Sequence, residues 1–324
     1  MKPSRTPKLK SNTNRSDRGG IVRFLFVAVI LSVGLLRSDA TARQPQTFPS
    51  GNGAWALASD GANIWVTDDR FFNGTVAKIR ASDGVLLGIF NVGSEPEGIT
   101  FDGANIWVSN RASNTVTKLR ASDGAVLGTF TVGNGPYGMT FDGENVWVAN
   151  WNDSTVTKIR PSDGEILGTF PVGALPDDLT SDGTNIWVLN EGPCTVTELR
   201  TSDGMLEGTF PVPNNGTDLH GIIFDGTNIV LGDTNRDRVA KLSAVDGTLL
   251  DSRRVGDTPW GIASDGVDIW VTNIVSNNVA RIRRGPDVRF YPVGRGPRGV
   301  VFDGTSVWVA NDVDATVTKL TPEP

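Results

Sequence analysis

The chain of 324 residues has one Cys, one His, two Tyr and three Met. A single Cys excludes a disulfide framework, a Cys-rich metal site and an iron–sulfur cluster, and a single His excludes a multi-His metal centre. Long apolar runs are also lacking. The longest, FLFVAVILSVGLL at 24–36, spans thirteen residues, short of the roughly 20 needed to cross a bilayer. Positive charge is scarce beyond the N-terminus. Residues 1–42 hold eight basic and two acidic side chains, so the remaining 282 residues carry −12 of a total of −6. A body that acidic repels phosphate backbones, and nucleic-acid binding is not expected. Gly (38) and Trp (9) are abundant.

The basic lead, the apolar run and Ala40-Thr41-Ala42 together form an export-signal pattern. Cleavage is expected after Ala42, which leaves 43–324 as one domain. An uncleaved membrane anchor is the rival reading, and the run is too short for it. No second apolar run follows, so the mature chain is expected to lack a membrane span. The expected location is secreted, periplasmic or at the cell surface.

The mature chain repeats one phrase seven times, as in FDGANIWVSN (101–110) and SDGVDIWVTN (264–273). Its Asp falls at Asp60, Asp102, Asp142, Asp182, Asp225, Asp265 and Asp303, in steps of 42, 40, 40, 43, 40 and 38. A period near forty marks a repeat architecture. Each unit holds four short β-branched runs between turn residues, such as GITF, NIWVSN, TVTKLR and LGTFTV at 98–132. Asp-Gly favours tight turns. The Ile-Trp-Val run is apolar on both faces, so its sheet must be covered on both sides. These features predict an all-β, seven-bladed β-propeller with four-stranded blades. The last unit ends after TVTKL (316–320), one strand short. Gln46-Thr47-Phe48-Pro49-Ser50 matches Gly168-Thr169-Phe170-Pro171-Val172 and supplies the missing strand. The N-terminal strand should therefore close the last blade and remove the open edge. A monomer is expected.

Chemical variety is concentrated at one position per unit. Five residues before each Asp stand Trp55, Glu97, Tyr137, Asp177, His220, Trp260 and Arg298, mostly between a Pro and a Gly. This position opens the innermost strand, beside the central channel. Drift on a polar surface should yield Ser, Thr, Asn and Lys, none of which appears. Aromatics plugging the channel as core is the other structural reading. Concave sites with aromatics and a few convergent polar groups are the usual ligand sites, and these seven residues are the expected ligand contacts. Eight residues after the Asp lies a ring of Asn or Asp (Asp68, Asn110, Asn150, Asn190, Asp233, Asn273, Asn311), expected to cap the following turn. The next position varies again, and Arg111, Trp151 and Glu191 from it join the candidate site. The loop Asp69–Gly74, two residues longer than its counterparts, is a candidate lip of the pocket or a tolerated insertion. The six Trp of the second strands are expected to be inter-blade core, and Val230, in place of the seventh, should leave its blade looser. Cys194 is expected to be an incidental free thiol.

The unit P-x-G-I-x-F-D-G-x-N-I-W-V-x-N-x(5)-T-V-T-K-L-R resembles the YVTN-type propeller repeats of secreted and surface bacterial and archaeal proteins. More distantly, the chain is similar to the virginiamycin B (streptogramin) lyase family over 46–320. That resemblance implies a seven-bladed propeller with a Mg²⁺-assisted His/Glu site at the channel mouth. Leu219-His220-Gly221-Ile222 matches the family's Pro-His-Gly-Ile, which carries the general base over to His220. Asp177 would then orient His220 or hold a divalent metal alongside Glu97 or Glu191, and Arg298 would stabilise an anion. Family strands end in Thr-Glu and use more than one His. Here they end in Asn or Asp, with one His. The function expected is therefore non-catalytic binding of a small molecule, glycan or protein at the channel mouth, with no cofactor required. A metal-assisted lyase or hydrolase is the alternative.

Overall fold

The computed structural model describes residues 44–69, 74–213, 218–283, 285 and 287–322. The expected export signal and most of the first blade's loop lie outside them. The described residues form seven four-stranded antiparallel sheets, each made of sequence neighbours except the last. The second blade shows the unit: Pro96–Phe101 innermost, then Asn105–Asn110, Thr115–Arg120 and Val126–Thr131. A single 3₁₀ turn, Thr234–Arg236, is the only helix among the described residues. No helix among them is long and apolar enough to cross a membrane.

The repeat Asp explains both the turn and the packing. In the second blade, Asp102 Oδ1 accepts from the backbone N–H of Ala104 (2.8 Å) and Asn105 (2.6 Å), which fixes the turn between the first two strands. Its Oδ2 accepts the indole N–H of Trp107 at 2.7 Å. Six blades repeat this bond, at 2.7–2.9 Å. A buried indole needs a partner for its N–H, and the five-residue spacing from turn to strand supplies one.

Each apolar second strand serves two interfaces. Ile106 and Val108 pack on Trp65 and Val76 of the preceding blade. Trp107 and Val116 pack on Met139, Val146, Val148 and Ile159 of the following one. The six Trp are at most 1% exposed, so the expected inter-blade core is observed.

The last blade is closed as the sequence predicted. Gln46–Pro49 pairs antiparallel with Thr316–Leu320, in the register Gln46↔Lys319 to Pro49↔Thr316. The Phe48 ring lies 5.8 Å from that of Trp308, as Phe130 lies 5.6 Å from Trp107.

Candidate functional site at the channel mouth

The innermost strands line an axial channel with a cavity volume of about 290 Å³. Glycine after the variable residue lets these strands approach one another. A Cβ added at Gly98 would lie 2.3 Å from the Tyr137 carbonyl oxygen, and one at Gly261 2.3 Å from that of Arg298. The pairing in these blades is interrupted at the variable position, as between Pro96 and Ile99. Each variable residue is thus held at the mouth by its neighbour's backbone.

The seven side chains converge. Arg298 lies over the rings of both Trp55 (3.8 Å to the centroid) and Trp260 (4.7 Å), and its Nε donates to Asp312 at 3.2 Å. Trp55 and Trp260 meet edge to face at 6.2 Å. His220 stacks on Trp260 with ring centroids 3.6 Å apart. On the other side Arg111 lies over both Tyr137 (5.7 Å) and Trp151 (5.3 Å) and 3.7 Å from Glu97. Trp151 donates a hydrogen bond to Glu191. All ten residues singled out from the sequence therefore belong to one face. The aromatics are half-buried, while Glu97, Asp177 and His220 are buried.

His220 is held at both ring nitrogens, Nδ1 by Asp177 Oδ1 at 3.2 Å and Nε2 by Asp218 Oδ1 at 3.0 Å. Both nitrogens therefore face carboxyl groups, which favour a positive charge on the ring. Burial opposes that charge. Asp177, its hydrogen bond, Asp218 and Glu191 outweigh burial and lift the pKa above the ordinary 6.5.

Glu97 takes the opposite course. Burial, reinforced by Asp69, raises its carboxyl to about 8 against the pull of Arg111 and Arg298. It is therefore protonated at neutral pH. Its Oε2 is buried without a hydrogen-bond partner. Asp178, in the channel wall, is raised to about 7 by burial and by Asp177, although it accepts from the backbone N–H of Leu179 (2.9 Å) and Ile222 (3.3 Å). Asp69 is raised to about 6 by burial and by Asp312.

Two members of the site were missed in the sequence. Asp178 stands where five other blades have Gly, a visible exception. Asp218 stands two residues before the variable position, where other blades have Glu95, Gly135, Leu175, Thr258 and Gly296, a set too mixed to mark it. The Asn ring is structural but does not cap the turn that follows. Asn110 donates to the hydroxyls of Thr115 (3.1 Å) and Thr117 (2.9 Å) on the third strand and accepts from Gly93 N–H at 3.0 Å. It thereby ties the blade crossing to the blade. The described residues do not assemble a Mg²⁺ donor set. Asp177 is engaged by His220, Glu97 is protonated, and no group of three or more His, Cys, Asp or Glu among the described residues is placed to hold a metal.

No protein-family model matches the chain, and no curated protein matches its sequence. Solved structures do match. A catalytically inactive virginiamycin B lyase from Staphylococcus aureus, with quinupristin, is 21% identical over 86% of this chain and 99% of its own, with a TM-score of 0.75. A streptogramin B lyase structure is 19% identical over 86% and 97%, TM-score 0.72. Hydrazine synthase of Kuenenia stuttgartiensis is 17% identical over 84% and 96%, TM-score 0.75. What they share with this chain is the fold. The expected likeness to the streptogramin lyases holds at that level, and propellers of very different chemistry match as well.

Proposed function

We propose that this protein is an exported binding propeller whose channel mouth takes a small molecule. The observation that carries the reading is the convergence of Trp55, Tyr137, Trp151 and Trp260 with Arg111 and Arg298 around a concave mouth. The guanidinium groups hold the aromatic faces in place, and ordering in advance reduces the entropy cost of binding. Glu97, protonated in the channel wall, adds a hydrogen-bonding carboxyl to the lining. His220 is engaged at both ring nitrogens by Asp177 and Asp218, an arrangement that supports a fixed, positioning role for it in a binding site. Export rests on the pattern of residues 1–42.

The test is a thermal-shift screen of small molecules and glycans, with and without Mg²⁺ and Ca²⁺. Tyr137→Ala combined with Trp260→Ala should weaken any hit about a thousandfold, at about 2 kcal/mol for each central aromatic, and leave the circular dichroism spectrum unchanged. Unaltered affinity in the double variant would overturn the assignment of the mouth. A lyase is the second reading, supported by Asp177 beside His220 and by the fold shared with the quinupristin-bound lyase. Quinupristin should persist when incubated with the protein and Mg²⁺. Consumption that disappears in His220→Ala would replace the binding reading with the catalytic one.

A further inference from the structure

The fifth blade breaks the packing rule of the other six. In those, the second-strand indole is framed by four elements. These are the repeat Asp taking its N–H, an aromatic ring from the fourth strand, a cation over its face in five of the six, and aliphatic side chains from the next blade. The second blade supplies Asp102 (2.7 Å), Phe130 (5.6 Å) and Lys118 (5.2 Å to the centroid), facing Val146 and Ile159. In the fifth blade Val230 replaces the Trp. The register places Arg253 opposite Val239, where Phe130 stands opposite Val116. Both rings are therefore replaced at one interface, while the rest of the frame is kept: Asp225, Lys241 and, from the sixth blade, Ile269 and Ile282.

A cleft with a cavity volume of about 290 Å³ lies at this interface and reaches Val230 and Val239. Its floor is Val230, Val239, Ile269 and Ile282, and its rim reaches solvent at Val267, 67% exposed. The cations are anchored. Lys241 Nζ donates to Asp225 Oδ2 at 2.7 Å. Arg253 Nε donates to Asp251 at 2.6 Å, and its Nη1 donates to the carbonyls of Arg283 and Gly285. An apolar cavity of about 150 Å³ already accepts a benzene-sized ring, so this one has room for a bicyclic ring.

We infer that the cleft between the fifth and sixth blades is a second ligand site, for a planar bicyclic aromatic bearing a ring N–H, with indole as the simplest case. The repeat Asp and the aliphatic side chains of the next blade hold an indole from the chain itself in the other six blades. The ring would lie on the aliphatic floor with Lys241 and Arg253 toward its π face. Its N–H would bond Asp225 Oδ2, since a carboxylate oxygen accepts more than one hydrogen bond. This site is independent of the channel mouth.

The probe is indole itself, titrated calorimetrically into the protein. One indole per chain should bind saturably, and 1-methylindole, which has no N–H, at least fivefold more weakly. Val230→Trp places a covalent indole in the cleft and should lower the affinity for free indole at least tenfold, with a melting temperature at or above the parent's to show that it folds. Absence of saturable binding, or equal affinity for the methylated compound, overturns the inference without recourse to any variant. Loss of binding in Trp260→Ala with Val230→Trp unaffected would move the indole to the mouth and also overturn it.

Discussion

A chain beginning at residue 51 should melt at least 10 °C below one beginning at residue 43, whereas deleting 321–324 should change the melting temperature by no more than about 2 °C. The strand Gln46–Pro49 is the outer edge of the last blade. Its removal uncovers the face of Trp308 that Phe48 covers and the ladder edge of Thr316–Leu320. It also removes the ring that stands on the next turn, where a Cβ at Gly84 would lie 2.1 Å from Phe48. Burial of one Phe stabilises by roughly 1.5–3 kcal/mol, and each ladder hydrogen bond by about 1 kcal/mol. In a domain of this size each kcal/mol is worth roughly 2–4 °C. The truncated chain also exposes an unpaired edge and should associate at high concentration. Equal melting temperatures for the two truncations would show that the N-terminal strand contributes nothing to closure.

Raising the pH from 5 to 9 should destabilise the protein, and Glu97→Gln should remove much of that loss. Glu97 titrates near 4.5 in the unfolded chain and at about 8 in the folded one. Between those values the folded state holds a proton that the unfolded chain has released, so stability falls as the pH rises through the interval. At about 1.4 kcal/mol per pH unit, Glu97 alone accounts for as much as ~5 kcal/mol. Asp178 and Asp69, raised to about 7 and about 6, act in the same direction. So does His220: its raised pKa contributes stability below 6.5 that is lost as the pH passes its folded value. The turn carboxylates act oppositely. Burial opposes ionisation of Asp102, but the Trp107 indole and the backbone amides of Ala104 and Asn105 prevail and lower its pKa. That stability is present above 3.8 and is lost as the pH falls through the folded value. Maximum stability is therefore expected near pH 5. Glu97→Gln should melt several degrees above the parent at pH 8.5 and alongside it at pH 5. Parallel pH profiles for the two proteins would contradict a protonated Glu97.

Much of this was legible in the sequence because a repeat states its rule many times. The period of the Asp residues, the Asp-Gly turns and the twice-apolar Ile-Trp-Val strand gave the seven blades, and the match of Gln46–Ser50 to Gly168–Val172 gave the closing strand. The ring from Trp55 to Arg298 could be located because it is where the repeat varies. Harder to read were partnerships across blades. The bond from Asp102 to Trp107 is local, yet Asp-Gly read as a turn signal hid it. Asp218 aligns with Glu95, Gly135, Leu175, Thr258 and Gly296, a mixed set that gives no rule from which its bond to His220 could be read. The protonation of Glu97 depends on burial and on Asp69, which outweigh Arg111 and Arg298, all brought about it only by the closed ring. Val230 was visible as an exception, but its consequence needed the register that sets Arg253 opposite Val239.

The bond between Thr47 and Thr318 spans 271 positions of sequence. Every other blade can form from a contiguous stretch of about forty residues as it is synthesised. The last blade cannot, because its outermost strand is made first and its three partners last. Contacts of such separation form slowly. The slowest step of refolding should therefore be the docking of this early segment onto a nearly finished ring. Until then the strand Gln46–Pro49 and the edge of Thr316–Leu320 that it covers both remain accessible.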